Sequence, residues 1–232
     1  MSSPKQPRLI WKIWDVLYPL VFTLLALAVV TVAALLIGGI LPGMTGESGL
    51  SARYPIAPLL INLAFYLILI FSQRRVYKRD DMRFGPRVNR WSVPKIILSA
   101  VIAFAVAFVL NLVIAVSGLM ERFPTYAEQS QLSFAGQPAW LLIITVVIIG
   151  PIAEELVFRG LTYSRIKHYL GVPAAVILSS LIFGIYHANI VQFIYASLIG
   201  ILLSLYYEKS GSLHACVLAH MAMNAFAVTS FI

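Results

Sequence analysis

The sequence predicts an all-α membrane protein, a polytopic bundle of about seven helices, or eight. Its 232 residues are 60% hydrophobic and only 11% charged, and the mean hydropathy is +0.90. Soluble domains average roughly 45–50% apolar and about 25% charged residues, so this chain has too little polar surface to cover a globule in water. The composition therefore excludes an ordinary soluble enzyme, a disordered chain and a nucleic-acid-binding domain, despite a formal net charge of +8.

Apolar segments that approach the roughly 30 Å hydrocarbon core define the predicted elements. The seven predicted spans are Val16–Ile40, Ile56–Ser72, Ile96–Met120, Pro138–Ile166, Val172–His187, Ile190–Tyr207 and Leu213–Ile232. The first span follows basic residues, but its apolar stretch far exceeds the roughly 7–15 residues of a signal-peptide core, so we interpret it as retained. No repeat or linker divides the chain, which predicts a single membrane domain over residues 1–232.

The basic residues predict the orientation of these spans in the cell membrane. In a seven-span topology most of them fall on one side, and only Arg53 and Arg122 fall on the other. Connections rich in Lys and Arg face the cytoplasm, so we expect a cytoplasmic N-terminus and an external C-terminus. The residues on the predicted cytoplasmic side are Lys5, Arg8, Lys12, Arg74, Arg75, Lys78, Arg79, Arg83, Arg87, Arg90, Lys95, Arg165, Lys167 and Lys209.

Ionisable and amide side chains are concentrated in the last four spans. An ionisable group near the bilayer centre costs about 2.5–3.5 kcal/mol even on the mildest scale, and such a group is by default a functional candidate. The first three spans contain little comparable chemistry. The candidate residues are Glu154, Glu155, Arg159, His187, His220 and Asn224.

The spacing of these residues distinguishes the two adjacent glutamates. Pro151 lacks an N–H and predicts a kink or a new helix start just before them. Glu155 and Arg159 are four residues apart, with the carboxylate first, which favours an ion pair on one helix face. Glu154 points about 100° away from Glu155 and has no partner on its own helix. We therefore expect Glu155 to be structural and Glu154 to be available for chemistry.

Two further pairs share the spacing of four residues, Phe183 with His187 and His220 with Asn224. Counting from the predicted cytoplasmic end of each span at 1.5 Å per residue places Glu154 at ~18 Å, His187 at ~22 Å, His220 at ~10 Å and Asn224 at ~16 Å. The four groups therefore fall within one broad middle layer of the membrane, where they can converge.

Three motifs in this order, Glu-Glu-x-x-x-Arg at 154–159, Phe-x-x-x-His at 183–187 and His-x-x-x-Asn at 220–224, resemble the CAAX-protease and bacteriocin-processing (CPBP, or Abi) family of intramembrane proteases. The family includes CAAX prenyl endopeptidases and lysostaphin-resistance proteins. The resemblance covers residues 138–232, the predicted catalytic core, whereas residues 1–137 carry no family motif. It implies a core that is commonly described with eight helices.

The resemblance also implies a mechanism and a substrate class. Glu154, assisted by His187, would activate water for attack on a peptide carbonyl, and His220 and Asn224 would donate hydrogen bonds to the oxyanion. Glu155, Arg159 and Phe183 would support these groups. The substrate would be a membrane-anchored protein or peptide, with or without a prenyl group, and no cofactor is favoured.

Three alternatives stay open at this stage. A zinc site could use Glu154, His187 and His220, although no His-Glu-x-x-His helix is present and the amide of Asn224 is a poor zinc ligand. A proton- or ion-coupled transporter would also have buried charges. Transporters usually consist of two pseudo-symmetric halves, whereas the charges within the predicted spans of this chain all lie in its second half. A non-catalytic, immunity-type membrane protein could retain the same fold. The sequence does not predict the oligomeric state.

Overall fold

The computed structural model describes residues 9–40, 56–86, 91–124, 134 and 136–229, and all regular secondary structure in these ranges is helical. The helices are α1 (Leu9–Ile40), α2 (Ala57–Phe84), α3 (Val93–Val116), α4 (Leu119–Arg122), α5 (Ala139–Leu142), α6 (Gly150–Glu155), α7 (Ser164–Tyr186), α8 (Ile190–Ser210) and α9 (Leu213–Val228). Two π-helical stretches, π1 (Ile143–Ile149) and π2 (Leu156–Tyr163), join α5, α6 and α7 into one helical segment.

The predicted fold class is confirmed, since the described chain forms a polytopic helical bundle. Five helical segments in it are long and apolar enough to cross a membrane, and the shorter Leu213–Val228 is also apolar. One of the five, Ala139–Tyr186, is 48 residues long and contains the fourth and fifth predicted spans. Large apolar side chains such as Leu24 and Leu25 on α1 and Val101 on α3 are more than half exposed, as expected of surfaces that contact lipid.

A turn at Gly171 separates the fourth span from the fifth. Gly171 has a φ of 82° and a ψ of 174°, so α7 consists of two helices with this residue between them. A positive φ of this kind is readily available to glycine and strained for other residues. The aromatic rings of Phe158 and Phe183 lie 4.9 Å apart, which shows that the chain reverses between them and forms a helical hairpin. The predicted break between Ile166 and Val172 is therefore present.

Several predicted span ends were wrong, and the second span shows why. α2 continues from Ser72 to Phe84, because the apolar run gives way to a polar, charged helical stretch rather than to a loop. Gln73 and Asp80 lie on its buried face, with exposures of 1% and 0%. A hydropathy criterion ends the span where charges appear, although the helix continues with its basic side chains exposed and Asp80 buried.

The other ends differ by smaller amounts. α1 begins at Leu9, before the predicted Val16, and α3 begins at Val93 and ends at Val116, before the left-handed Gly118. α8 extends to Ser210. The last helix ends at Val228, and the predicted terminus of the seventh span at Ile232 lies outside the described residues.

Contacts between helices establish their relative directions. Tyr66 and Asp80 of α2 contact Glu154 and Arg165 respectively, so α2 runs parallel to the helical segment that begins at Ala139. α9 runs in the opposite direction, because His220 contacts Glu155 whereas the later residue Asn224 contacts the earlier residue Val146. These directions agree with the alternation of a seven-span topology, in which spans two and four run the same way and span seven runs opposite.

Small residues allow α7 and α8 to pack closely. A Cβ atom on Gly200 would lie 2.9 Å from the Cα of Ser180, and one on Gly184 would lie 2.7 Å from the carbonyl oxygen of Phe193. Such close approach of backbones is typical of helix packing in membranes. It brings the backbone of α8 against the helical hairpin that carries the candidate site.

Candidate active site

The two glutamates lie on α6, a short α-helical stretch between π1 and π2. The N–H of Gly150 bonds to the carbonyl of Thr145, five residues earlier, and Pro151 follows in the first turn of α6. Because Pro151 has no N–H, the regular hydrogen-bond pattern cannot continue through it. The expected irregularity is present as a change from π to α geometry within a continuous segment. Glu154 is 6% exposed and Glu155 is 0% exposed.

Glu155 accepts two charge-assisted contacts on a single oxygen. Its Oε1 lies 2.9 Å from Nη1 of Arg159, which is the ion pair that the spacing predicted. The same oxygen lies 2.8 Å from Nδ1 of His220, a contact between α6 and α9 that the sequence did not reveal. An ionised carboxylate can only accept, so Nδ1 of His220 is the donor here. Glu155 therefore fixes the histidine as well as the arginine.

Glu154 also has partners, although none lies on its own helix. Its Oε1 accepts a hydrogen bond from the hydroxyl of Tyr66 at 3.0 Å. Its Oε2 lies 3.7 Å from Nε2 of His220. The imidazole of His220 is thus placed between the two carboxylates, with one ring nitrogen directed to each.

Arg159 and Phe183 flank the cluster of Glu154, Glu155 and His220 on the side of the helical hairpin. The guanidinium of Arg159 lies 4.4 Å from the ring centroid of Phe183, and its Nη2 donates to the carbonyl of Gly200 at 3.4 Å. The Phe183 ring contacts the rings of both His187 and His220, at centroid distances of 4.9 and 5.8 Å. The expected packing of Phe183 beside His187 is present, and Phe183 also connects the two histidines.

His187 lies directly after the last residue of α7 and is half-buried. Its Nδ1 lies 2.9 Å from the carbonyl oxygen of Phe183. Because a carbonyl only accepts, Nδ1 carries the proton in this contact, and Nε2 of the neutral ring is left as an acceptor. The following residue, Ala188, has a φ of 54°, and Asn189 then accepts hydrogen bonds from the first turn of α8.

Asn224 lies one helical turn after His220 and contacts the backbone of π1. Its Nδ2 donates to the carbonyl oxygen of Val146 at 3.0 Å. In the π pattern of this stretch the next donor to Val146 would be the N–H of residue 151, which is a proline. The amide of Asn224 therefore supplies the hydrogen bond that Pro151 cannot provide.

Tyr66 is the residue of this site that the sequence analysis missed. It lies on α2, in a part of the chain where we expected little chemistry. Tyrosines of membrane helices are concentrated at the interfaces, so a tyrosine ten positions into a span was the available signal.

The described residues do not fit a zinc site. Among them, no three His, Cys, Asp or Glu side chains come together in an arrangement that could hold a metal ion. Both ring nitrogens of His220 are directed to carboxylates, and Nδ1 of His187 is engaged by a backbone carbonyl.

The fold and the site define a multi-pass membrane protein with a buried cluster of glutamate, histidine and arginine. Residues 136–226 match a family described as "Type II CAAX prenyl endopeptidase Rce1-like". These residues include all three motifs, so the resemblance to the CPBP family is confirmed.

A curated relative matches part of the chain. It is the Bacillus subtilis (strain 168) protein named "Putative membrane peptidase YdiL", which is 32% identical over 88 residues. The match covers 38% of this chain and 36% of that relative, so the chain spans little more than a third of the relative's length. No solved structure matches.

Proposed function

We propose that this protein is an intramembrane endopeptidase that hydrolyses a peptide bond in a membrane-associated protein or peptide. One observation carries the proposal: Oε2 of the buried Glu154 faces Nε2 of His220 at 3.7 Å, within the segment that matches the peptidase family. A carboxylate beside an imidazole in a water-poor site is suited to general acid–base catalysis. The match to a relative named as a membrane peptidase supports the same class of reaction.

In the proposed reaction Glu154 acts as the base. It takes a proton from a water molecule while the water oxygen attacks the carbonyl carbon of the scissile peptide bond, which gives a tetrahedral oxyanion. The same proton then passes to the leaving nitrogen as the C–N bond breaks. His187, with Nε2 as an acceptor, assists by orienting the water.

The charges of the cluster support His220 as an oxyanion donor. Two carboxylates and one guanidinium give Glu154, Glu155 and Arg159 a formal charge of −1, and a proton on His220 would make the group neutral. Only the protonated ring can donate from Nδ1 to Glu155 and from Nε2 to a second acceptor at the same time. Removing one oxyanion donor typically costs about 2.7–4 kcal/mol of transition-state stabilisation.

Asn224 is proposed as the second oxyanion donor. Its amide nitrogen carries two hydrogens, and the carbonyl of Val146 accepts one of them at 3.0 Å. That hydrogen bond holds the amide in a fixed orientation, and the second hydrogen stays available to a substrate. The contact to Val146 is therefore compatible with the catalytic role.

We further propose a lipid-modified or otherwise membrane-anchored substrate that enters from the cytoplasmic leaflet. The description of the matched family as CAAX prenyl endopeptidases supports the substrate class. The basic residues near the end of α2, among them Arg79 and Arg83, support a cytoplasmic position for that end. The N-terminus would then be cytoplasmic and the C-terminus external.

The test is a cleavage assay with purified protein in detergent against a panel of membrane-anchored peptides, with and without a prenyl group. Glu154→Gln should lower the rate by about 10²–10⁴-fold, the usual contribution of a general base. Glu121→Gln, the same change at an exposed glutamate outside the cluster, is the matched control and should leave the rate unchanged. A Glu154→Gln protein that cleaves at the wild-type rate would refute the proposal. Absence of cleavage together with proton flux in liposomes would favour a transporter.

A further inference from the structure

Tyr66 reaches the proposed base from a helix outside the matched segment. It lies on α2, whereas the family match begins at residue 136. Its hydroxyl donates to Oε1 of Glu154 at 3.0 Å. This contact places a helix without any family motif against the central carboxylate of the site.

The packing around the ring of Tyr66 fixes the position of that hydroxyl. A Cβ atom on Gly150 would lie only 3.3 Å from Cε2 of Tyr66, so the missing side chain of Gly150 leaves room for the ring. The ring also packs against Phe65 at a centroid distance of 5.5 Å. A phenol held in this way presents its O–H in a nearly fixed direction.

We propose that Tyr66 is a positioning residue for Glu154, an inference that rests on the proposed function. By holding Oε1, Tyr66 directs Oε2 of the same carboxylate toward Nε2 of His220 at 3.7 Å and toward the water that is to be deprotonated. A glutamate side chain has several freely rotating bonds, and a misplacement of about 1 Å can cost roughly 10²-fold in rate. The N-terminal helices are then part of the catalytic unit rather than only a membrane anchor.

The test is Tyr66→Phe, which keeps the ring and removes only the hydroxyl. The kcat for a peptide that the wild type cleaves should fall about 10–100-fold, the worth of a hydrogen bond to a charged group, with KM and the unfolding temperature nearly unchanged. The matched control is Tyr163→Phe. Tyr163 is a buried tyrosine of π2 whose hydroxyl donates to the carboxylate of Glu208 at 2.8 Å, outside the candidate site. That variant should keep the wild-type kcat.

The outcomes separate this inference from the proposed function. If Glu154→Gln abolishes cleavage while Tyr66→Phe keeps the wild-type kcat, the proposed function stands and the role of Tyr66 is refuted. A fall in kcat that Tyr163→Phe reproduces, or one that follows a lower unfolding temperature, would show a merely structural role and also refute it. If Glu154→Gln retains activity, the proposed function itself fails.

Discussion

Replacing Glu155 by alanine tests the energetics of the buried cluster. Oε1 of Glu155 pairs with both Arg159 and His220, at 2.9 and 2.8 Å, and none of the three side chains is more than 5% exposed. Within the part of the chain that the structure describes, Glu155→Ala leaves the guanidinium of Arg159 with the more distant hydrogen bond to the carbonyl of Gly200 at 3.4 Å. Removing one partner of a buried pair typically costs about 3–5 kcal/mol. At roughly 2–4 °C per kcal/mol, the unfolding temperature should fall by about 6–20 °C.

The assay compares thermal unfolding of purified variants in the same detergent. Glu154→Gln is the control, because glutamine keeps an oxygen that can accept a hydrogen bond from Tyr66. Its free energy of unfolding should fall by no more than about 1.5 kcal/mol. Adding Arg159→Met to Glu155→Ala should recover part of the lost stability, since the stranded charge is then gone. Equal losses for the two glutamates, or no recovery in the double variant, would refute this assignment of stability to Glu155.

Three further predictions concern metal dependence, topology and the second buried ion pair. Active protein treated with a chelator should keep its activity; stoichiometric zinc whose removal abolishes activity and whose return restores it would contradict the glutamate mechanism. In a Cys216→Ser background, a membrane-impermeant thiol reagent should label His214→Cys from the cytoplasmic side and Thr229→Cys from the external side, and the reverse pattern would invert the topology. Asp80→Ala should lower stability by less than the roughly 3–5 kcal/mol of a fully stranded charge, because the buried Arg165 loses its partner at 2.6 Å but keeps Asp15 at 3.4 Å, while kcat of the folded fraction stays at the wild-type value.

The helices were predictable from the sequence because hydropathy follows burial in lipid so closely. The predicted span ends were wrong where a helix continues beyond its apolar run, as α2 does between Ser72 and Phe84. There the inward-facing Asp80 pairs with the adjacent Arg79 and also with the buried Arg165, a partner from a distant part of the chain. A local hydropathy window contains no information about such a partner.

The candidate site was predictable only in part. The spacing of four residues correctly indicated the pairing of Glu155 with Arg159, and the depth estimate brought Glu154 and His220 to a common layer. The contacts from Glu155 to His220 and from Glu154 to Tyr66 depend on which faces of separate helices meet. Helix-wheel arithmetic assumes about 100° per residue, and the π-helical stretches on both sides of α6 depart from it.

The carbonyl of Gly200 has a consequence for how this protein tolerates mutation. Arg159 receives part of its compensation from a main-chain oxygen, which no substitution can delete. The distance from this oxygen to the guanidinium depends on the small residues that let α7 and α8 approach each other. A Cβ at position 200 would lie 2.9 Å from the backbone of Ser180. A methyl group added at Gly200 would therefore act indirectly. It would push the carbonyl oxygen of residue 200 away from the guanidinium of Arg159 without contacting the guanidinium itself. Loss-of-function variants at Gly200 would keep every proposed catalytic side chain and would disturb only the backbone acceptor that compensates Arg159.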